Sequence, residues 1–147
     1  MAKETTISAC ARLSGLLLLA SAVPHATLGT AEILMAIKTG DVRASMVDTL
    51  HIIWIFSTIM LVLSGIWVLF LAAELRQLKR RAWWQGLIIG LGYVGGSIGA
   101  IAVTKFYAYL LFYTIIGLLL LLPLLRWAGS FRGGISIGPA PRPVKQS

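Results

Sequence analysis

A chain of 147 residues that is 58% hydrophobic and 12% charged, with a mean hydropathy of +0.87, departs far from the balance of soluble domains. Its net charge of +8 would suit a nucleic-acid binder if the cations formed a surface patch, but they fall at the ends of long apolar segments, which argues against nucleic acid as a partner. Those segments leave almost no chain for a second domain, and the one cysteine, Cys10, cannot close a disulfide within the chain.

The first apolar segment runs from about Leu13 to Leu34, long enough to cross roughly 30 Å of hydrocarbon as a helix. Its polar groups, Ser14, Ser21, His25 and Glu32, recur at helical spacing and so line one stripe that should face protein. His25 follows Pro24, which frees a carbonyl one turn back, and a histidine there can serve the interrupted backbone. A second reading of this segment is a cleavable secretory signal: basic residues, the stretch Leu16 to Val23 and small residues at Ala20, Ser21 and Ala22 fit it. Against it, hydrophobicity resumes from Ala26 to Ile37, and Glu4 weakens the basic leader. The run Ile7-Ser8-Ala9-Cys10 has the form of a lipoprotein cleavage box, but the apolar stretch follows the cysteine instead of preceding it.

The second segment spans about Thr49 to Ala73 and opens on Asp48, His51, Thr58 and Gly65, another stripe at helical spacing. Asp48 stands where an N-cap is wanted. The third, from about Gly86 to Thr104, is preceded by Trp83 and Trp84 and carries Gly86, Gly90, Gly92, Gly95, Gly96 and Gly99. Small residues four apart let helix backbones approach, so these glycines are expected to pack against another helix of the bundle, or against a second copy or a partner membrane protein. The fourth runs from about Ala108 to Leu125. Lys105, Tyr107 and Tyr109 mark a short turn before it, Pro123 lies in its last turn and Trp127 follows. Tyrosine and tryptophan at these ends read as headgroup-level anchors. The remainder, 129–147, is rich in proline, glycine and cations and reads as a flexible basic tail.

Every spanning segment must satisfy its own backbone in hydrocarbon, and no alternating barrel pattern is present, so the expected fold is an all-α membrane protein, a four-transmembrane-helix bundle. Lys3, Arg12, Arg76, Lys79, Arg80, Arg81, Arg126, Arg132, Arg142 and Lys145 share one side, against Lys38, Arg43 and Lys105 on the other. The positive-inside rule then gives N-in/C-in topology in a membrane of bacterial inner-membrane type, with residues 1–128 as the spanning domain and 129–147 as the cytoplasmic tail.

No nucleophile, acid–base or metal-ligand spacing stands out, so neither an enzyme nor a bound metal is expected. His25, Glu32, Asp48 and His51 are the candidate polar pocket, in the outer half of the first two segments, where histidine titrates near neutrality. The competing reading leaves Glu32 and Asp48 as ordinary helix-end charges. Haem held between His25 and His51 is conceivable on facing helices, but the two histidines lie at different depths, and no cofactor is expected. Two function classes follow: a non-enzymatic component that packs with or stabilises a partner in the lipid bilayer, or a small transporter or haem/redox protein using the polar pocket.

Overall fold

The computed structural model describes residues 2–104 and 107–131. Expectations placed on Lys105, on the Tyr107 ring and on residues 132–147 lie outside the described residues. The chain forms α1 (Ala2–Lys38), α2 (Ala44–Arg76), α3 (Arg80–Thr104), α4 (Tyr107–Arg126) and a short 3-10 turn, Ala128–Phe131. The protein is all-helical, and four of its helices are long and apolar enough to cross a membrane. Their outward faces carry large apolar side chains, with Phe70 72% and Val103 83% exposed, far beyond what a water-facing surface tolerates.

The helices run longer than the apolar segments because hydropathy measures hydrocarbon thickness whereas helices continue through polar flanks. At 37 and 33 residues, α1 and α2 are about 55 and 50 Å long at roughly 1.5 Å per residue. α2 begins at Ala44 after Arg43, so Asp48 lies inside the helix and is not its N-cap.

Consecutive helices pack antiparallel. The α1–α2 pair and the α3–α4 pair form the two broad interfaces; α1 also meets α4, while α2 and α3 touch sparingly. Each hairpin crosses at glycine. A Cβ at Gly15 would lie 2.9 Å from Gly65 O, and one at Gly117 would lie 2.9 Å from Gly90 O. Small residues permit this backbone proximity, and dispersion contact holds it where lipid gives no hydrophobic drive between helices. The Ser14 hydroxyl donates to Ile116 O at 3.4 Å, which brings these two crossings to one level of the bundle.

That level divides the molecule. Toward the basic end, which carries Lys3, Arg76, Lys79, Arg80, Arg81 and Arg126, all four helices finish together. Toward the distal end, α1 and α2 continue for about 35 and 32 Å but α3 and α4 for only about 21 and 15 Å. The α1–α2 hairpin therefore overhangs its neighbours.

The α1–α2 and α2–α3 connections use one motif. After α1, Gly40 adopts φ 78°, with Asp41 N–H donating to Ala36 O and Gly40 N–H to Ile37 O. After α2, Leu78 takes the same place at φ 53°, with Lys79 N–H donating to Glu74 O and Leu78 N–H to Leu75 O. Leucine in the left-handed region costs about 1–2 kcal/mol. Leu78 is held there by its packing against the buried core.

The start of the expected exposed tail is tied down. Phe131 is 3% exposed and stacks against Trp83, and Lys3 Nζ donates to Ser130 Oγ at 3.2 Å. Trp83, read as a headgroup anchor, donates its indole N–H to Leu124 O at 2.9 Å, serving a carbonyl near the end of α4 that the helix leaves unpaired.

Candidate functional site

The inward stripe of α1 is Ile7, Ala11, Ser14, Leu18, Ser21, Ala22, His25 and Gly29. Its spacing of three and four keeps one face toward α2 and α4. His25, one turn before the end of the stripe, is 8% exposed. Pro24 removes the amide that Ala20 O would receive, yet the imidazole does not serve that carbonyl. Both ring nitrogens reach other helices: Nδ1 lies 2.5 Å from the Tyr109 hydroxyl on α4, and Nε2 lies 2.9 Å from Ser57 Oγ on α2.

Trp54 completes the enclosure. Its indole stacks on the imidazole at a centroid separation of 3.9 Å and an interplanar angle of 13°, and its N–H donates to His25 O at 3.1 Å. The indole lies directly on the backbone of Gly29, where a Cβ would fall 1.7 Å from Trp54 Cζ2. Only glycine leaves room for the ring.

Counting donors gives the network a direction. Assigning the Ser57 hydrogen to Trp54 O, 2.8 Å away, leaves the Ser57 oxygen to accept from His25 Nε2–H. Nδ1 is then the acceptor for the Tyr109 hydroxyl. The Tyr109 oxygen in turn accepts from the Tyr113 hydroxyl, 2.7 Å away. The hydrogens thus point one way, from Tyr113 through Tyr109, His25 and Ser57 to Trp54 O.

Two clefts flank this network, and His25 and Tyr109 line both. One of about 560 Å³ is bordered by Pro24, Leu28, Glu32, Trp54 and Phe112 from α1, α2 and α4. The other, of about 430 Å³, opens between α2 and α3, with Phe56, Met60, Gly92, Gly96 and Tyr113 on its walls. It exists because α2 and α3 separate beyond the glycine level.

Comparison with protein-family models, curated proteins and solved structures finds no match in any of the three. The reading of the site therefore rests on its own geometry.

Of the four residues expected to share a pocket, the structure brings His25 and Glu32 to one cleft. Asp48 is exposed and His51 half-buried, and neither lines either cleft. Asp48, 17 residues from the Gly65 crossing, stands about 25 Å from it, farther than the described parts of α3 and α4 reach. The His25 and His51 pairing considered for haem is not formed: both His25 nitrogens are engaged by other helices. Among the described residues, no group of three His, Cys, Asp or Glu side chains is placed to hold a metal ion.

The glycines of α3 divide into two sets. A Cβ at Gly86 would meet Leu124 Cδ1 at 2.7 Å and one at Gly90 would meet Leu121 Cγ at 2.6 Å, whereas at Gly92, Gly95, Gly96 and Gly99 it would meet nothing within 4 Å. Only the first set packs on α4.

Tyr109, read from the sequence as an interface anchor, instead points into the bundle. Trp54, Ser57 and Tyr113 drew no attention in the sequence. A signal was present: Tyr109, Tyr113 and Gly117 recur four apart, and Trp54, Thr58, Leu61 and Gly65 repeat at intervals of four, three and four, each set marking a single helix face.

Proposed function

We propose that this chain is a non-enzymatic, four-span protein of the bacterial inner membrane, with both ends cytoplasmic, that holds a small lipophilic ligand in the distal half of its bundle beside His25. The observation that carries the reading is a histidine bonded through both ring nitrogens to other helices and placed as the partition between two open clefts. An ionisable side chain at membrane depth is costly and usually serves a ligand or a pathway, and an apolar cleft with a few convergent polar groups is the usual form of a small-molecule site. The α2–α3 cleft opens on the side that faces lipid, so the ligand enters laterally from the bilayer.

The cationic end supports the orientation. Burial of Ile7, Ala11 and Ser14 at 1%, 0% and 0% exposure supports retention of the first segment, since cleavage would strip the core of α2 and α4.

The test is organic extraction of protein purified in mild detergent, followed by mass spectrometry, for wild type and for Gly96→Leu, which fills the α2–α3 cleft. A lipophile retained near stoichiometrically by the wild type and lost from the variant supports the reading. Identical bulk phospholipid from both removes it.

A second reading is favoured by the unoccupied glycines Gly92, Gly95, Gly96 and Gly99: α3 presents a face on which a helix of a partner protein, or of a second copy, packs closely. In that case Gly95→Leu and Gly99→Leu abolish co-purification of the partner and leave the isolated bundle as stable as before.

A further inference from the structure

Resting on the ligand-binding reading, we infer that the α2–α3 cleft takes a lipophilic phenol or hydroquinone, an aromatic ring whose O–H is donated to the Tyr113 oxygen. The argument is an inventory of hydrogens on the cleft wall. Six side chains there are polar: His25, Ser57, Tyr93, Ser97, Tyr109 and Tyr113. With the Ser57 hydrogen assigned to Trp54 O, His25 donates to Ser57, Tyr109 to His25 and Tyr113 to Tyr109. Ser97 donates to Tyr93 O. The Tyr93 hydroxyl, on α3, lies outside this chain of bonds. Every hydrogen of the chain that runs from Tyr113 to Trp54 O is already given away.

What the chain of bonds still offers is a lone pair: the Tyr113 oxygen, at its open head, receives nothing from the described residues. A ligand that brings only a carbonyl or ether oxygen finds no donor in that chain. One that brings a hydroxyl extends the chain by a link, in the direction the protein has already set.

Shape narrows the class. Tyr93 and Tyr113 form an aromatic wall, their rings 6.1 Å apart at 21°, and α3 on either side of Tyr93 is cut back by Gly92 and Gly96, at which a Cβ would meet nothing within 4 Å. A flat ring suits a wall of this kind. The exposed sides of Phe56 and Met60, at 59% and 39%, leave a lateral exit for an alkyl tail.

The experiment uses the full chain in lipid nanodiscs and two probes that differ only in the donor hydrogen, 4-decylphenol and its methyl ether 4-decylanisole. The wild type binds the phenol about tenfold more tightly, a difference of about 1.4 kcal/mol and the size of one hydrogen bond. Tyr113→Phe brings the two affinities together by weakening the phenol. Tyr109→Phe releases the Tyr113 hydrogen to the cleft, and the preference swings toward the ether. Gly96→Leu abolishes binding of both probes. Equal affinity of the wild type for the two, or a preference for the phenol that survives Tyr113→Phe and Tyr109→Phe alike, overturns the donor assignment and leaves the ligand site standing. Saturable binding of neither probe overturns both.

Discussion

The imidazole of His25 and the indole of Trp54 lie face to face, 3.9 Å between centroids, because Gly29 clears the space behind the indole. Gly29→Ala should push Trp54 off the histidine and lower stability by about 1–3 kcal/mol, the usual cost of overpacking. In Gly29→Ala/Trp54→Phe the smaller ring restores most of the loss relative to Trp54→Phe alone. Equilibrium unfolding of the four proteins in one detergent closes the cycle, and additive effects would refute the contact.

Removing one link from the polar chain should cost little in stability and much in order. Tyr109→Phe leaves the His25 Nδ1 lone pair without a donor. Hydrogen bonds between membrane helices are worth about 0.6 kcal/mol on average, so the expected destabilisation is of that order. The diagnostic is nitrogen NMR of His25: the wild-type spectrum reports a neutral ring protonated at Nε2, and Tyr109→Phe shifts the Nδ1 resonance toward that of a nitrogen with no hydrogen bond.

The two glycine sets of α3 and its partner should answer differently to the same substitution. Gly117→Ala drives a Cβ to 2.9 Å from Gly90 O and 3.0 Å from Val94 N, backbone atoms that cannot move alone, and should destabilise by about 1–3 kcal/mol. Gly95→Ala and Gly99→Ala meet open space and should stabilise α3 by about 0.5–1 kcal/mol each through reduced backbone freedom in the unfolded chain. Thermal unfolding in detergent measures both. A loss of stability at Gly95 or Gly99 would mean that a partner helix, absent in detergent as a monomer, had remained bound.

Orientation is measurable by labelling. In a Cys10→Ser background, Thr39→Cys in the α1–α2 connection should react with a membrane-impermeant maleimide on intact cells, and Lys79→Cys in the α2–α3 connection only after the membrane is opened. The reverse pattern would invert the topology.

The inward face of α1 was readable because Ser14, Ser21 and His25 interrupt an apolar background at helical intervals. All three are buried, and polar atoms in hydrocarbon have to turn toward protein. Asp48 and His51 show the same spacing and line neither cleft, since periodicity identifies a face but says nothing of whether a neighbouring helix lies against it. Tyr109 was misassigned for a related reason: an aromatic residue near a helix end is ambiguous between headgroup and core until the registry of α1 against α4 is known. The six glycines of α3 include three pairs four apart, yet only Gly86 and Gly90 meet α4, because at roughly 100° per residue Gly92, Gly95, Gly96 and Gly99 turn to the opposite side of the helix.

The unequal seams give the molecule a mechanical character. Each hairpin is locked by its own glycine crossing, α1 and α4 act as a spine, and α2 and α3 are the free edges, joined at one end by the short link through Leu78. Widening the gap requires neither hairpin to come apart; it asks only for a rigid tilt, of an amplitude limited by that link. Entry of a guest should therefore proceed on the time of collective helix motion, microseconds to milliseconds, without any partial unfolding, and a covalent strap across the free edges should trap the occupant inside.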